Sequence, residues 1–208
     1  MDFFRRATAK PRRLAVLPGT FNPPTRAHLA LARAALASVD EVLFVLPRVF
    51  PHKAYTGASF EDRVRMLAAA AEDEPRFSIA SSDGGLFIEI ARQCRQAYGL
   101  DIEVLILCGR DAAERAANWD YGRSGAFRDQ LREYGLLVAP RGGYYEPPAE
   151  FSDRIQALAA VEGCDEVSAT GVRERIRRGE PWEHLVPQPI VEMVRKIYRE
   201  GKEECGHE

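Results

Sequence analysis

Short apolar runs alternate with stretches of helical period along most of the chain. Residues 14–18 (LAVLP), 41–46 (EVLFVL), 77–80 (FSIA), 103–108 (EVLILC) and 135–139 (GLLVA) have strand length and are apolar almost throughout. Such runs suit strands buried on both faces, the condition of a parallel sheet covered by helices. The segments between them follow the other period. Leu29, Leu31, Ala32, Ala35 and Leu36 form a broad helical face, and Ser59 with Asp62 begins a second helix as a capping box, continued by Val64, Met66, Leu67 and Ala71. Further helices are expected over 85–98, 111–117, 123–133 and about 151–160, then from about 170 and over about 188–199. A turn-rich loop, RGGYYEPP, fills 141–148. Strand alternating with helix predicts βαβ units, hence an α/β fold: an open parallel sheet, helices on both faces, and a C-terminal helical elaboration over about 151–200. In such sheets ligands sit beyond the carboxyl ends of the strands, where strand order reverses. The loops after residues 18, 46, 108 and 139 therefore have first claim on function.

The 208 residues suit one domain over 14–200 with an extension at each end. With 46% apolar and 29% charged residues, a folded, soluble chain is expected, its core large enough to need no staples. Cys94, Cys108, Cys164 and Cys205 form neither a C-x-x-C pair nor a zinc spacing, which points to a reducing, cytoplasmic compartment. A near balance of 29 Lys+Arg against 31 Asp+Glu disfavours a surface that coats nucleic acid. No apolar run approaches the roughly 20 residues of a membrane span, and the start lacks the apolar stretch of a signal peptide. Residues 1–13 are basic, with Arg5, Arg6, Lys10, Arg12 and Arg13 against Asp2, while the end is acidic, with Glu203, Glu204 and Glu208 in 201–208. Both are expected to be frayed, solvated tails.

The segment 19–28, GTFNPPTRAH, joins the first strand to the first helix. Exposed backbone N–H groups and the helix dipole favour an anion there. It contains neither a Walker G-K-[ST] nor a G-x-G-x-x-G, which disfavours P-loop NTPases and NAD-dependent dehydrogenases. If Thr25 caps the helix, His28 lies at its third position, and hydroxyl and imidazole share one face of the first turn. From these residues alone the pair is either an anion site or an ordinary cap with a surface histidine.

G-T-F-N-P-P-T-x-x-H resembles the signature of nucleotidyltransferases with an H-x-G-H motif, especially the nicotinate/nicotinamide mononucleotide adenylyltransferases. Thr25 stands at the first His and Ala27 at the Gly. Residues 167–173, VSATGVR, resemble that family's I-S-S-T-x-I-R phosphate motif, residues 51–53 its P-H-K loop, and Gly109 and Asp111 followed by Trp119 its G-x-D…W. The resemblance spans about 14–200 and implies a Rossmann-like fold. It implies that Gly19, Thr20, Phe21, Thr25, His28, Gly109, Asp111, Ser168, Thr170 and Arg173 meet ATP. Asn22, Lys53, Asp111 and Trp119 would meet the mononucleotide, with Trp119 stacking on the base. His28, Arg173, Lys53 and Thr25 would carry catalysis, and no side chain is assigned as a metal ligand. Read without the resemblance, a solvated 51–53 loop, an Arg-rich solvated helix, a buried Trp and a capping Asp remain the plainer alternatives.

The implied reaction joins ATP to a mononucleotide and releases pyrophosphate, in NAD biosynthesis, with Mg²⁺ accompanying ATP. The attacking phosphate oxygen is already anionic, so catalysis reduces to in-line alignment and stabilisation of charge. The expected partners are these small molecules, with no nucleic acid polymer and no membrane; a homo-oligomer is left open. One departure bears on the acceptor. Relatives that take nicotinate mononucleotide usually carry S-Y-T at the start of the third helix, where residues 85–90 here read GLFIEI. The acid or amide form of the acceptor, a different phosphate-bearing acceptor or CTP, and a catalytically silent nucleotide-binding module all stay open. Trp182 and His184 read as packing or surface residues, and Cys205 with His207 supplies too few ligands for a closed zinc site.

Overall fold

The computed structural model describes residues 1–48, 57–118, 126–140, 145–159, 161, 163 and 166–200. Seven strands form one sheet: β1 (Asp2–Arg5), β2 (Arg13–Pro18), β3 (Glu41–Pro47), β4 (Phe77–Ser82), β5 (Glu103–Gly109), β6 (Gly135–Ala139) and β7 (Ile155–Ala157). Their spatial order is β1-β4-β3-β2-β5-β6-β7, parallel except for the antiparallel β1 edge. The helices are α1 (Arg26–Ala35), α2 (Phe60–Ala70), α3 (Phe87–Tyr98), α4 (Arg110–Asn118), α5 (Ala126–Gln130), α6 (Ala169–Arg178) and α7 (Val191–Glu200).

Alternation along the strands divides the core in two, as the two-residue repeat of a strand requires. Ala15 and Leu17 of β2, Phe44 and Leu46 of β3 and Leu105 and Leu107 of β5 face one layer, which α1, α2, α6 and α7 cover through Leu29, Met66, Val172 and Val194. Leu14 and Val16, Leu43 and Val45, and Val104 and Ile106 face the other, covered by α3, α4 and α5 through Ile90, Ala113 and Phe127. Every residue of β3 is buried, as a central strand between two helical layers should be. Among the described residues no helix is long and apolar enough to cross a membrane.

Two expectations are corrected. The basic start is not a frayed tail: Asp2–Arg5 pairs with β4, and the arm beyond it is tied down by its own arginines. Arg5 donates to the carbonyls of Ala71, Glu72 and Glu74 at the end of α2, where a helix leaves carbonyls unpaired, and Arg6 lies over the Phe3 and Tyr98 rings at 4.6 and 4.7 Å. The second correction concerns 151–160, where the expected helix is a 3₁₀ turn (Ala149–Phe151) followed by β7. Phe151, Ile155 and Leu158 have helical spacing, but the free edge of β6 pairs with this segment instead, through Leu136 N–H to Arg154 O and Leu158 N–H to Val138 O, both 2.8 Å. Residues 155–157 thus belong to the main sheet, and the helical elaboration begins with α6. The acidic residues 201–208 lie outside the described residues.

Candidate active site

From β2 the chain winds through β3 to β4 on one side of the sheet, then resumes at β5 and winds through β6 to β7 on the other. Strand order therefore reverses between β2 and β5, and the crevice expected at such a point is present. A cleft of about 380 Å³ opens at the carboxyl ends of these strands, lined in part by Pro18, His28, Phe87, Gly109, Asp111 and Arg115. That volume falls in the range of small-molecule sites.

The loop from β2 to α1 enters the cleft by a route that its residues dictate. Gly19 N–H donates to Val45 O at 3.0 Å, continuing the β2–β3 ladder one residue further. A Cβ at Gly19 would come within 2.9 Å of the Phe21 ring, so any side chain there would have to displace that buried ring. Phe21 is 1% exposed and holds a left-handed φ of +48°, with its ring edge-on to those of His28 and Phe44. Its side chain is core, which leaves its backbone as the part able to meet a ligand.

Thr25 is the N-cap of α1, and the cap is reciprocal with His28. Thr25 Oγ1 accepts from His28 N–H at 3.4 Å, and the Thr25 backbone N–H donates to His28 Nδ1 at 2.9 Å, with Oγ1 2.8 Å from the same nitrogen. A nitrogen that accepts a backbone N–H carries no proton, so the neutral ring holds its proton on Nε2. The cap thus sets both tautomer and orientation, making Nε2–H a fixed donor on a residue that lines the cleft. Thr25 itself is fully buried, with its hydroxyl against the His28 ring.

The second phosphate-type motif is brought over the first. Ser168 caps α6 by accepting Gly171 N–H at 3.0 Å, and the helix ends at Gly179 in the left-handed conformation (φ 72°) that only glycine adopts cheaply. Arg173, at the start of the second turn, donates from Nη1 to Asn22 O at 2.5 Å and from Nη2 to Thr170 Oγ1 at 3.2 Å. Asn22 is buried, and its side-chain oxygen accepts the Tyr198 hydroxyl from α7. Burial pushes the Tyr198 phenol up, although Arg173 and Arg63 nearby oppose the shift.

Gly109 and Asp111 line the far wall of the cleft, at the end of β5 and in the first turn of α4. Ser168 and Thr170 are exposed at the start of α6. The structure thus gathers Gly19, Thr20, Phe21, Asn22, Thr25, His28 and Arg173 around one loop. Lys53 and Trp119 lie outside the described residues. Trp182 is 2% exposed and belongs to the core, and His184 is exposed. Cys108, on the cleft wall, and Cys94 are buried, and burial pushes both thiols up to about 12, so neither supplies a thiolate nucleophile near neutral pH. Among the described residues no group of three or more His, Cys, Asp or Glu side chains is placed to hold a metal ion.

Two further residues hold this site. Arg63, 4% exposed, donates from Nη1 to Thr20 O at 3.0 Å and from Nε to Ser59 O at 3.3 Å; Tyr198 holds Asn22. Arg63 had a signal in the sequence, since it stands in the buried stripe of α2 with Met66, Leu67 and Ala70, where an unpaired charge would be costly. Tyr198, one turn before a charged end, had none.

An open sheet of this order, with a histidine-bearing helix start at its reversal and a second capped helix start held against the same loop, is the fold and candidate site of a chain similar to the cytidylyltransferase-like family. The chain belongs to that family, whose model matches residues 16–175. A "Probable nicotinate-nucleotide adenylyltransferase" of Treponema pallidum (strain Nichols) is 32% identical over 207 residues, covering 90% of this chain and 99% of that protein. One of Solibacter usitatus (strain Ellin6076) is 33% identical over 178 residues, covering 81% and 92%. The Plasmodium falciparum nicotinic acid mononucleotide adenylyltransferase, solved in complex with NaAD, superposes with a TM-score of 0.67 at 13% identity, covering 90% of this chain and 97% of that one, which shows the shared fold. The chain is a nucleotidyltransferase of the branch that the two sequence relatives represent.

Proposed function

We propose that the chain transfers AMP from ATP to nicotinate mononucleotide, releasing pyrophosphate and forming the acid dinucleotide in NAD biosynthesis. A phosphate oxygen of the mononucleotide attacks the α-phosphorus of ATP, the bond from that phosphorus to the bridging oxygen breaks, and pyrophosphate leaves with the electron pair. No proton need be removed from the nucleophile. What the protein supplies is alignment and fixed positive charge.

The observation that carries this reading is the reciprocal cap of Thr25 and His28, which holds Nδ1 of a histidine that lines the reversal cleft. Arg173 supplies a planar guanidinium beside the same loop, suited to phosphate oxygens. Ser168, Thr170 and the first-turn amides of α6 extend this surface, with Lys53 assigned to it on the family motif. Asp111 and Trp119 are assigned to the mononucleotide in the same way. Mg²⁺ would accompany the triphosphate, held chiefly by phosphate oxygens and water with at most a carboxylate such as Asp111, and would supply charge neutralisation for the departing pyrophosphate.

The acid form is favoured by one side chain. The pyridine carboxylate is an anion that the amide lacks, and among the described residues lining the cleft Arg115, one helical turn from Asp111, is the Arg or Lys. The test is turnover of purified His28→Ala with the wild type alongside. Loss of one pre-aligned donor lowers kcat by about 10² to 10³-fold, whereas near-normal turnover in a folded variant sinks the assignment. A second reading, a different phosphate-bearing acceptor, draws on the start of α3. Leu86 caps that helix without a side-chain hydrogen bond and is 50% exposed, where a pyridine-binding relative would place a polar anchor.

A further inference from the structure

Arg63 is an unusual residue to find under a phosphate loop: a guanidinium 4% exposed, in the apolar stripe of α2, giving donors to two backbone carbonyls, Thr20 O and Ser59 O. The Thr20 carbonyl immediately precedes Phe21. The Asn22 carbonyl immediately follows it and is held by Arg173. Two arginines from two helices therefore grip the carbonyls on either side of a residue whose φ of +48° is costly for any side chain but glycine.

A peptide unit is planar, and in the trans form its C=O and N–H point in opposite directions. Fixing the Thr20 carbonyl on Arg63 therefore fixes the direction of the Phe21 N–H, which is turned away from α2. No hydrogen bond from that N–H to a protein acceptor is made among the described residues. The same grip draws a carbonyl oxygen, a partial negative charge, away from the side where anionic phosphates would lie. We propose that Arg63 is a positioning residue for nucleotidyl transfer: through the Thr20 carbonyl it presents the Phe21 N–H as a donor to the transferred or departing phosphate. This rests on the assignment of the 19–25 loop to the phosphates.

The test separates that assignment from the role of Arg63. In ¹⁵N-labelled wild-type protein, titration with inorganic pyrophosphate is expected to shift the Phe21 amide resonance. A silent Phe21 amide overturns the loop assignment and the proposal together, and needs no variant. Arg63→Gln, checked by circular dichroism and thermal melting, is expected to lower kcat by about 10²-fold at a temperature well below its melting point, as loss of an aligned donor does, and to lose the Phe21 response. Arg63→Lys, which can hold one carbonyl, is expected to recover part of both. A merely structural role would lower the melting temperature and leave kcat and the Phe21 response intact. That outcome in either variant, with the wild-type shift present, overturns the role of Arg63 alone.

Discussion

Arg173 Nη1 donates to the backbone carbonyl of Asn22 at 2.5 Å, across 151 positions of sequence. Through this contact the N-terminal end of α6 and the loop after β2 become one site. Two motifs that are each weak as sequence signals, a loop of ten residues and a capped helix start, strengthen one another once they touch. The contact also makes a specific demand on the side chain, because one guanidinium serves Asn22 O and Thr170 Oγ1 together. Lysine keeps the charge but lacks the planar fork. Arg173→Lys should therefore lower kcat/KM by about 10²-fold, as a misplacement of about 1 Å can; steady-state kinetics on folded variant would show it, and unchanged kcat/KM would count against a catalytic place for Arg173.

Thr25 and His28 should separate in effect. Thr25→Ala removes the cap acceptor, at about 1 kcal/mol of stability, but leaves the backbone N–H that orients Nδ1. Its kcat should fall less than that of His28→Ala. Urea unfolding and turnover of both variants check this, and the reverse order would mean that Thr25 reaches the substrate itself.

Arg115 should distinguish the two pyridine nucleotides. Arg115→Gln is expected to lower kcat/KM for nicotinate mononucleotide by about tenfold or more, the loss of one charge-assisted contact, and to leave nicotinamide mononucleotide almost unaffected. Equal losses for both would place Arg115 at a group they share.

Glu41 gives a pH dependence remote from the cleft. Its carboxyl is 1% exposed within β3; Tyr98 donates to one oxygen, and the other has no hydrogen-bond partner among the described residues. Burial raises its pKa above the ordinary 4.5, opposed by hydrogen bonds from Ser78 and Tyr98 and by the charge of Arg6. A carboxyl that holds its proton more tightly in the folded state stabilises the fold while protonated, and that contribution is lost as pH rises from the unfolded value through the raised folded one. The urea midpoint of the wild type should therefore fall, relative to Glu41→Gln, as pH increases from about 4.5. Parallel curves for the two proteins would contradict it.

What could be read in advance follows from how strongly each segment is constrained. The runs 41–46 and 103–108 are buried on both faces, so their composition alone marks them as strands. β1 and β7 lie at the sheet edges and hold to it through one neighbour each, so little in their composition separates them from a tail or a helix. In the site, the Thr25 cap with His28 at its third position was legible from spacing alone, while Arg173 stood out from an Arg-rich helix only through the family resemblance. Arg63 was marked only as a charge in an apolar helical stripe, while its contact with Thr20 O and that of Tyr198 with the Asn22 side chain are long-range and leave no local spacing to read.

Adenylyl transfer by this chain is decided by incubating the purified protein with ATP and Mg²⁺, offering nicotinate mononucleotide and nicotinamide mononucleotide separately, and measuring pyrophosphate together with dinucleotide. Stoichiometric pyrophosphate and dinucleotide are expected, with the acid form the better acceptor. ATP binding without product from either would contradict it, and would point to a different acceptor or to a silent nucleotide-binding module.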